Sequence, residues 1–164
     1  MDVWDKCRQT IVGWPLLEDV PPGTRLNLGC GKCILPKEEG WVNVDRLPLP
    51  GVDTQVNLFH FPWPWADDSV DYIMASHIVE HIPHQIEGME GDGFFVFFRE
   101  CWRILKPSGQ MLVLAPYGHT SLALQDPTHT RYIIPETFGY LGVEAGGDSF
   151  DYQLGFAFRG SAHV

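Results

Sequence analysis

The stretch Thr24-Arg25-Leu26-Asn27-Leu28-Gly29-Cys30-Gly31 decides the fold. Leu26 and Leu28 alternate with polar neighbours, as in a strand with one face buried, and the two glycines follow at once. Gly29 and Gly31 allow a sharp turn and let the main chain approach a ligand with no Cβ in the way. A strand that ends in such a turn is the usual opening of an open α/β sheet, and the same turn also fits a plain strand end. The rest of the chain has to choose between these.

Working outward, Trp41-Val42-Asn43-Val44-Asp45 reads as a second strand that closes on a carboxylate, and Thr54-Gln55-Val56-Asn57 as a weaker third. Residues 70–76 form the fourth. Over residues 91–105 the pattern turns helical: Phe94, Phe97, Phe98, Cys101, Trp102 and Leu105 recur at steps of three and four, with Arg99, Glu100 and Arg103 opposite. Lys106-Pro107-Ser108-Gly109 stops that helix, and residues 110–116 read as a fifth strand. A short helix fits residues 135–141 with Pro135 in its first turn, and residues 150–159 read as a sixth, antiparallel strand. Strands ending in Gly or Asp and separated by helix or long crossovers imply an α/β fold, a doubly wound, mainly parallel sheet with helices on both faces. In such sheets a ligand lies beyond the carboxyl ends of the strands.

Composition narrows the class. The 164 residues fit a single domain over 1–164; 45% are apolar and 20% charged, enough to bury one core. Eleven Lys and Arg against 21 Asp and Glu leave a net charge of −10, which argues against a nucleic-acid backbone as the main partner. The start of the chain lacks a basic, then apolar, leader, and no apolar run is long enough to span a bilayer. The four cysteines, Cys7, Cys30, Cys33 and Cys101, read as free thiols in a reducing, cytoplasmic setting. Cys30 and Cys33 form a C-x-x-C with no second half, so they read as small turn residues rather than a redox pair or zinc site.

Asp45 gives the glycine turn its meaning. It closes the next strand, 16 residues after Gly29, where a carboxylate can accept hydrogen bonds from both hydroxyls of a ribose. The third glycine of a dinucleotide fingerprint is missing, so a nucleoside ligand without phosphates fits better. With LNLGCGK at 26–32, WVNVD at 41–45, the run from 56 to 83 and FFRECWRILKPSGQMLVLAP at 98–116, the chain resembles the class I S-adenosylmethionine-dependent methyltransferases, of the small, single-domain, type 11-like kind with a Rossmann-like fold. The resemblance spans most of residues 26–141. It implies S-adenosyl-L-methionine as cofactor, with Asn27 among the residues that hold it, Gly29, Cys30 and Gly31 around the methionine moiety, Asp45 at the ribose, Asn57 and Leu58 at the adenine, and Ser76 and His77 near the methyl group. An acidic residue is commoner at the position of Asn57; its carbonyl oxygen can still accept from an adenine amino group.

His77-Ile78-Val79-Glu80-His81 spells H-x-x-E-H, which zinc peptidases use on a helix. A strand runs into His77 here and Pro83 follows two residues after His81, leaving barely a turn for that geometry. The expectation is therefore no metal at this string, with Glu80 and His81 bracing the loop, or with His77 or His81 accepting a proton from the methyl acceptor. Beyond the fifth strand, the polar segment with Tyr117, His119, Asp126, His129 and Arg131 is the expected acceptor site; a capping loop is the other reading.

The resulting expectation is a methyl transferase acting on an oxygen, nitrogen or carbon nucleophile of a small molecule. A protein that binds S-adenosylmethionine without transferring methyl groups, as a sensor or partner subunit, is the main alternative, and a zinc hydrolase the lesser one. The resemblance also implies a C-terminal antiparallel hairpin that residues 150–159 supply only in part, which suggests a shortened C-terminus and a sheet edge open to a second copy in a homodimer.

Overall fold

The computed structural model describes residues 23–141. They form one five-stranded, wholly parallel sheet of β1 (Arg25–Leu28), β2 (Trp41–Asp45), β3 (Thr54–Gln55), β4 (Val70–Ser76) and β5 (Leu105–Leu114), in the order β3-β2-β1-β4-β5. From β1 the chain winds outward through β2 to β3, then returns to the other side of β1 for β4 and β5. Winding therefore reverses between β1 and β4, the place where open α/β sheets leave a crevice. The expected sixth strand lies outside the described residues.

Register separates the two faces. Leu26 stands beside Val42 and Ile73, and Leu28 beside Val44 and Ala75, so one face is a continuous apolar patch. Helix α1 (Gly93–Ile104) covers it with Phe94, Phe97, Phe98, Cys101 and Ile104. Asp92 caps its start, Oδ1 accepting from the Phe94 N–H at 2.8 Å, which satisfies one of the free donors of the first turn. The opposite face buries Trp41, Tyr72 and Met74 with Leu35 of the β1–β2 crossover, Trp41 meeting Tyr72 edge-on at 5.8 Å. That crossover contains a single 3-10 turn, Lys37–Glu39.

Two positions of the expected helix differ. Trp102, expected on the buried side, is exposed, and Glu100, expected outside, is buried. Glu100 accepts from the Trp63 N–H at 2.6 Å and pairs with Arg103, whose guanidinium also donates to the carbonyls of Trp63 and Trp65. The helix thereby pins the aromatic 61–65 segment, and a buried carboxylate held by a guanidinium and a backbone donor is satisfied rather than stranded.

The 106–109 stretch does stop the helix, but through a bulge. Val70 pairs with Leu105 and Tyr72 with Gln110, so residues 106–109 loop out of the ladder, where the missing N–H of Pro107 costs nothing. Lys106 reaches back to Asp71, Nζ lying 2.7 and 2.8 Å from its two oxygens. The 135–141 helix is a 3-10 helix, Pro135–Leu141, whose Phe138 packs on Phe94 and Phe98. Among the described residues no helix is long and apolar enough to cross a membrane. Cys30 and Cys101 are free and buried, whereas Cys33 is disulfide-bonded. This corrects the expectation of four free thiols and removes the support those thiols lent to a cytoplasmic location.

The hydrogen bond from Lys106, then the Thr24 N–H, hold the Asp71 carboxyl below the ordinary carboxylate range. A pKa lowered in the folded state gives stability that is complete above the unfolded value of about 3.9 and is lost as pH falls toward the lowered one. Thermal melts from pH 6 to pH 2 should therefore show a shallower acid loss in Asp71→Asn than in the wild type; equal slopes would exclude this pair as a contributor.

Candidate functional site

The turn after β1 divides its work between two glycines. Both are left-handed, Gly29 at φ +60 and Gly31 at φ +52. A Cβ on Gly29 would lie 1.9 Å from Cδ1 of Ile78, in the loop after β4, so a side chain here would have to displace the end of the Ile78 side chain. Among the described residues, a Cβ on Gly31 would meet nothing within 4 Å, so none of them fills the space in front of the Gly31 backbone. Between them Cys30 is buried, and burial, then the Asp45 charge, push its thiol up to about 12, so it is a neutral small side chain and not a nucleophile.

Asp45, at the carboxyl end of β2, faces this turn. Its Oδ2 accepts from the Gly31 N–H at 2.9 Å and its Oδ1 from the Leu47 N–H at 2.9 Å. Each oxygen keeps a further lone pair for a ligand hydroxyl. At the end of β3, Asn57 Oδ1 accepts from the Phe59 N–H at 3.0 Å, closing an Asx turn and retaining one lone pair, while the Leu58 side chain is part of the core.

Asn27 has a buried side chain, donating to the Cys33 carbonyl at 2.8 Å and to Asn43 Oδ1 at 3.0 Å. Asn43 in turn exchanges two bonds with the Leu35 backbone and donates to Asp53 at 3.1 Å. The Asn27 side chain is thus part of the floor beneath the turn. The sequence carried a signal for this: two amides at neighbouring inward positions of otherwise apolar strands.

Ser76 ends β4 and His77 follows at φ +57, a left-handed conformation that is uncommon outside glycine and clusters at functional sites. His77 Nδ1 lies 3.1 Å from Oε1 of the buried Glu80, and this hydrogen bond raises the imidazole pKa above its ordinary value against the opposing effect of burial. Residues Val79–His81 make one 3-10 turn, so His77 and His81 do not share a helical face as a peptidase string would require. His81 Nδ1 instead meets Thr128 Oγ1 at 3.1 Å.

The polar segment after β5 splits into two parts. Tyr117 and His119 are stacked edge to face at 5.3 Å, with Tyr117 exposed. Residues 128–131 instead form a strap on the loop after β4: Thr130 N–H donates to the Glu80 carbonyl at 2.8 Å and its hydroxyl to that of Ile82 at 2.6 Å. Arg131 donates to Asp92 and to the Ile82 carbonyl and lies over the Phe94 ring. These contacts make Arg131 a brace between the loop after β4 and the start of α1. His129 is also turned inward, bonded to the Ala123 carbonyl at 2.7 Å. Ile78, Thr128 and Thr130 were missed because nothing in their local sequence marks a contact made across some 50 residues.

Residues 42–113 match a family model described as a methyltransferase domain. Over 106 residues, 62% of the chain, it is 32% identical to a probable S-adenosylmethionine-dependent methyltransferase of Mycobacterium tuberculosis, and over 102 residues 33% identical to one of Mycolicibacterium smegmatis. The chain spans about a third, 35%, of the length of these curated relatives. Among solved structures, an S-adenosylmethionine-dependent methyltransferase from Archaeoglobus fulgidus aligns with a TM-score of 0.60 at 23% identity, covering 84% of this chain and 64% of that one. The YcgJ protein of Bacillus subtilis aligns with a TM-score of 0.52 at 17% identity over the same shares. These two structural likenesses establish the fold.

The two glycines should separate on substitution. Gly31→Ala carries only the left-handed backbone cost of about 1–2 kcal/mol, whereas Gly29→Ala adds the displacement of Ile78. Denaturant titration should find Gly29→Ala the less stable of the two; the reverse order would contradict the packing described for Ile78.

Proposed function

We propose that the chain, whose residues 42–113 match a methyltransferase domain, is a class I S-adenosylmethionine-dependent methyltransferase that binds S-adenosylmethionine across the carboxyl ends of β3, β2, β1 and β4 and transfers its methyl group to a small-molecule acceptor. One observation carries this reading: at the β1/β4 reversal, an unobstructed Gly31 backbone stands beside an Asp45 carboxylate that its own N–H holds in place. A glycine turn with open space suits the methionine moiety, and a fixed carboxylate with spare lone pairs suits a ribose diol. Asn57 and the Leu58 backbone are the adenine contacts in this reading, and Ser76 and His77 line the methyl end.

Bound there, S-adenosylmethionine would supply a methyl group activated by its sulfonium, which an oxygen, nitrogen or carbon nucleophile would take as the C–S bond breaks and the neutral thioether leaves. The residues around it then have to align the two partners and exclude water. His77 is suited to a fixed contact, since Glu80 orients its ring, and the exposed Tyr117–His119 pair is suited to the flat or polar parts of an acceptor. The acidic chain disfavours a polyanionic acceptor.

Calorimetry with S-adenosylmethionine tests the site. Asp45→Ala should weaken binding by about 1.5–3 kcal/mol, roughly 10- to 150-fold, while leaving the fold intact. No binding by the folded wild type would sink the proposal. Binding with no transfer of labelled methyl across a panel of hydroxyl, amine and carbon acceptors would favour a protein that only binds the nucleoside.

A further inference from the structure

We propose that Glu80, His81 and His129 form a binding site for a divalent first-row transition cation. The site ties the loop after β4 to the segment after β5 and is distinct from the His77 and His81 pair of the H-x-x-E-H string. One ligand atom from each of the three residues lies within 4.8 Å of the others. Two imidazoles and a carboxylate at such separations suit zinc, manganese, iron or cobalt, and three protein ligands leave positions open for water or another oxygen donor.

The surrounding bonds select which atoms face inward. Nδ1 of His129 lies 2.7 Å from the Ala123 carbonyl, which can only accept, so that nitrogen carries the proton and Nε2 keeps its lone pair. Nδ1 of His81 lies 3.1 Å from Thr128 Oγ1, whose own proton goes to Asp126 Oδ1 at 2.7 Å, so the imidazole is again the donor and its Nε2 is left free. Outer hydrogen bonds of this kind, from the remote ring nitrogen to a carbonyl or hydroxyl, orient histidines that ligate metals. His129 is nearly sealed, its side chain 6% exposed.

Glu80 supplies an independent observation. It is 2% exposed, and while its Oε1 meets His77, its Oε2 is buried with no hydrogen-bond partner among the described residues. A buried carboxylate oxygen without a donor is costly. Among the described residues no hydrogen bond joins Glu80 to either imidazole, and the bonds above leave Nε2 of each imidazole and Oε2 of Glu80 as three acceptors with no donor. A water has two protons for three acceptors; a cation satisfies all three. The remaining neighbour, Asp126 Oδ2, lies 3.9 Å from His129 Nε2, beyond hydrogen-bond length, and adds negative potential on the same side.

The site goes beyond methyl transfer and is tested without it. The wild-type protein is titrated with Co2+ and with Zn2+ after removal of metal by chelator. One equivalent of Co2+ should bind with visible d–d absorption, Zn2+ should displace it, and paramagnetic Co2+ should shift the imidazole NMR signals of two of the seven histidines. His129→Gln and His81→Gln should each weaken Zn2+ binding by at least about 100-fold, more than is usual for loss of an outer partner. His84→Gln, a histidine bonded to Asp92 outside the trio, should retain it. Should either ligand variant fail to fold, the wild-type spectra still decide. No stoichiometric binding by the folded wild type, or binding unchanged in both ligand variants, overturns the proposal.

Discussion

The site depends above all on the buried amide of Asn43. Its carbonyl oxygen accepts from Asn27 and from the Leu35 N–H, and its amino group donates to the Leu35 carbonyl and to Asp53, so all of its hydrogen-bonding capacity is used away from water. A side chain here does what a neighbouring strand would do: it gives the β1–β2 crossover a partner for its backbone. This lets the crossover lie flat on the sheet with only one 3-10 turn, and fixes where residues 29–31 emerge. Buried networks of this kind hold one geometry because every alternative strands a polar group.

Much of the architecture was legible in the sequence because it rests on short-range patterns. Strands 41–45 and 70–76 have the bounds that alternation and apolar runs assign them, and the glycine turn and Asp45 meet at the sheet end. What escaped reading rests on partners distant in the chain. Periodicity put Trp102 inside and Glu100 outside, yet Glu100 is drawn in by Arg103 and by the backbone of Trp63. The stop at residues 106–109 was visible as Pro and Gly, but that it forms a bulge stapled by Lys106 and Asp71 depends on register with β4.

The histidines show the same division. As a string, His77 to His81 suggested one metal-binding helix face; the fold sends the two imidazoles to different neighbours, His77 to Glu80 and His81 to Thr128. His129, read as an open contact for an acceptor, is instead turned toward His81, the ring centroids 4.7 Å apart. Polarity in a loop reveals that something is bonded there, and only the three-dimensional path reveals to what.

The seating of Ile78 on Gly29 joins the loop after β4 to the turn after β1. The two loops therefore cannot respond to their surroundings separately. An occupant that shifts one of them alters the free energy of placing the other, and thermodynamic linkage makes that influence equal in both directions. The two sides of the crevice are thus coupled through a single methyl-to-backbone contact.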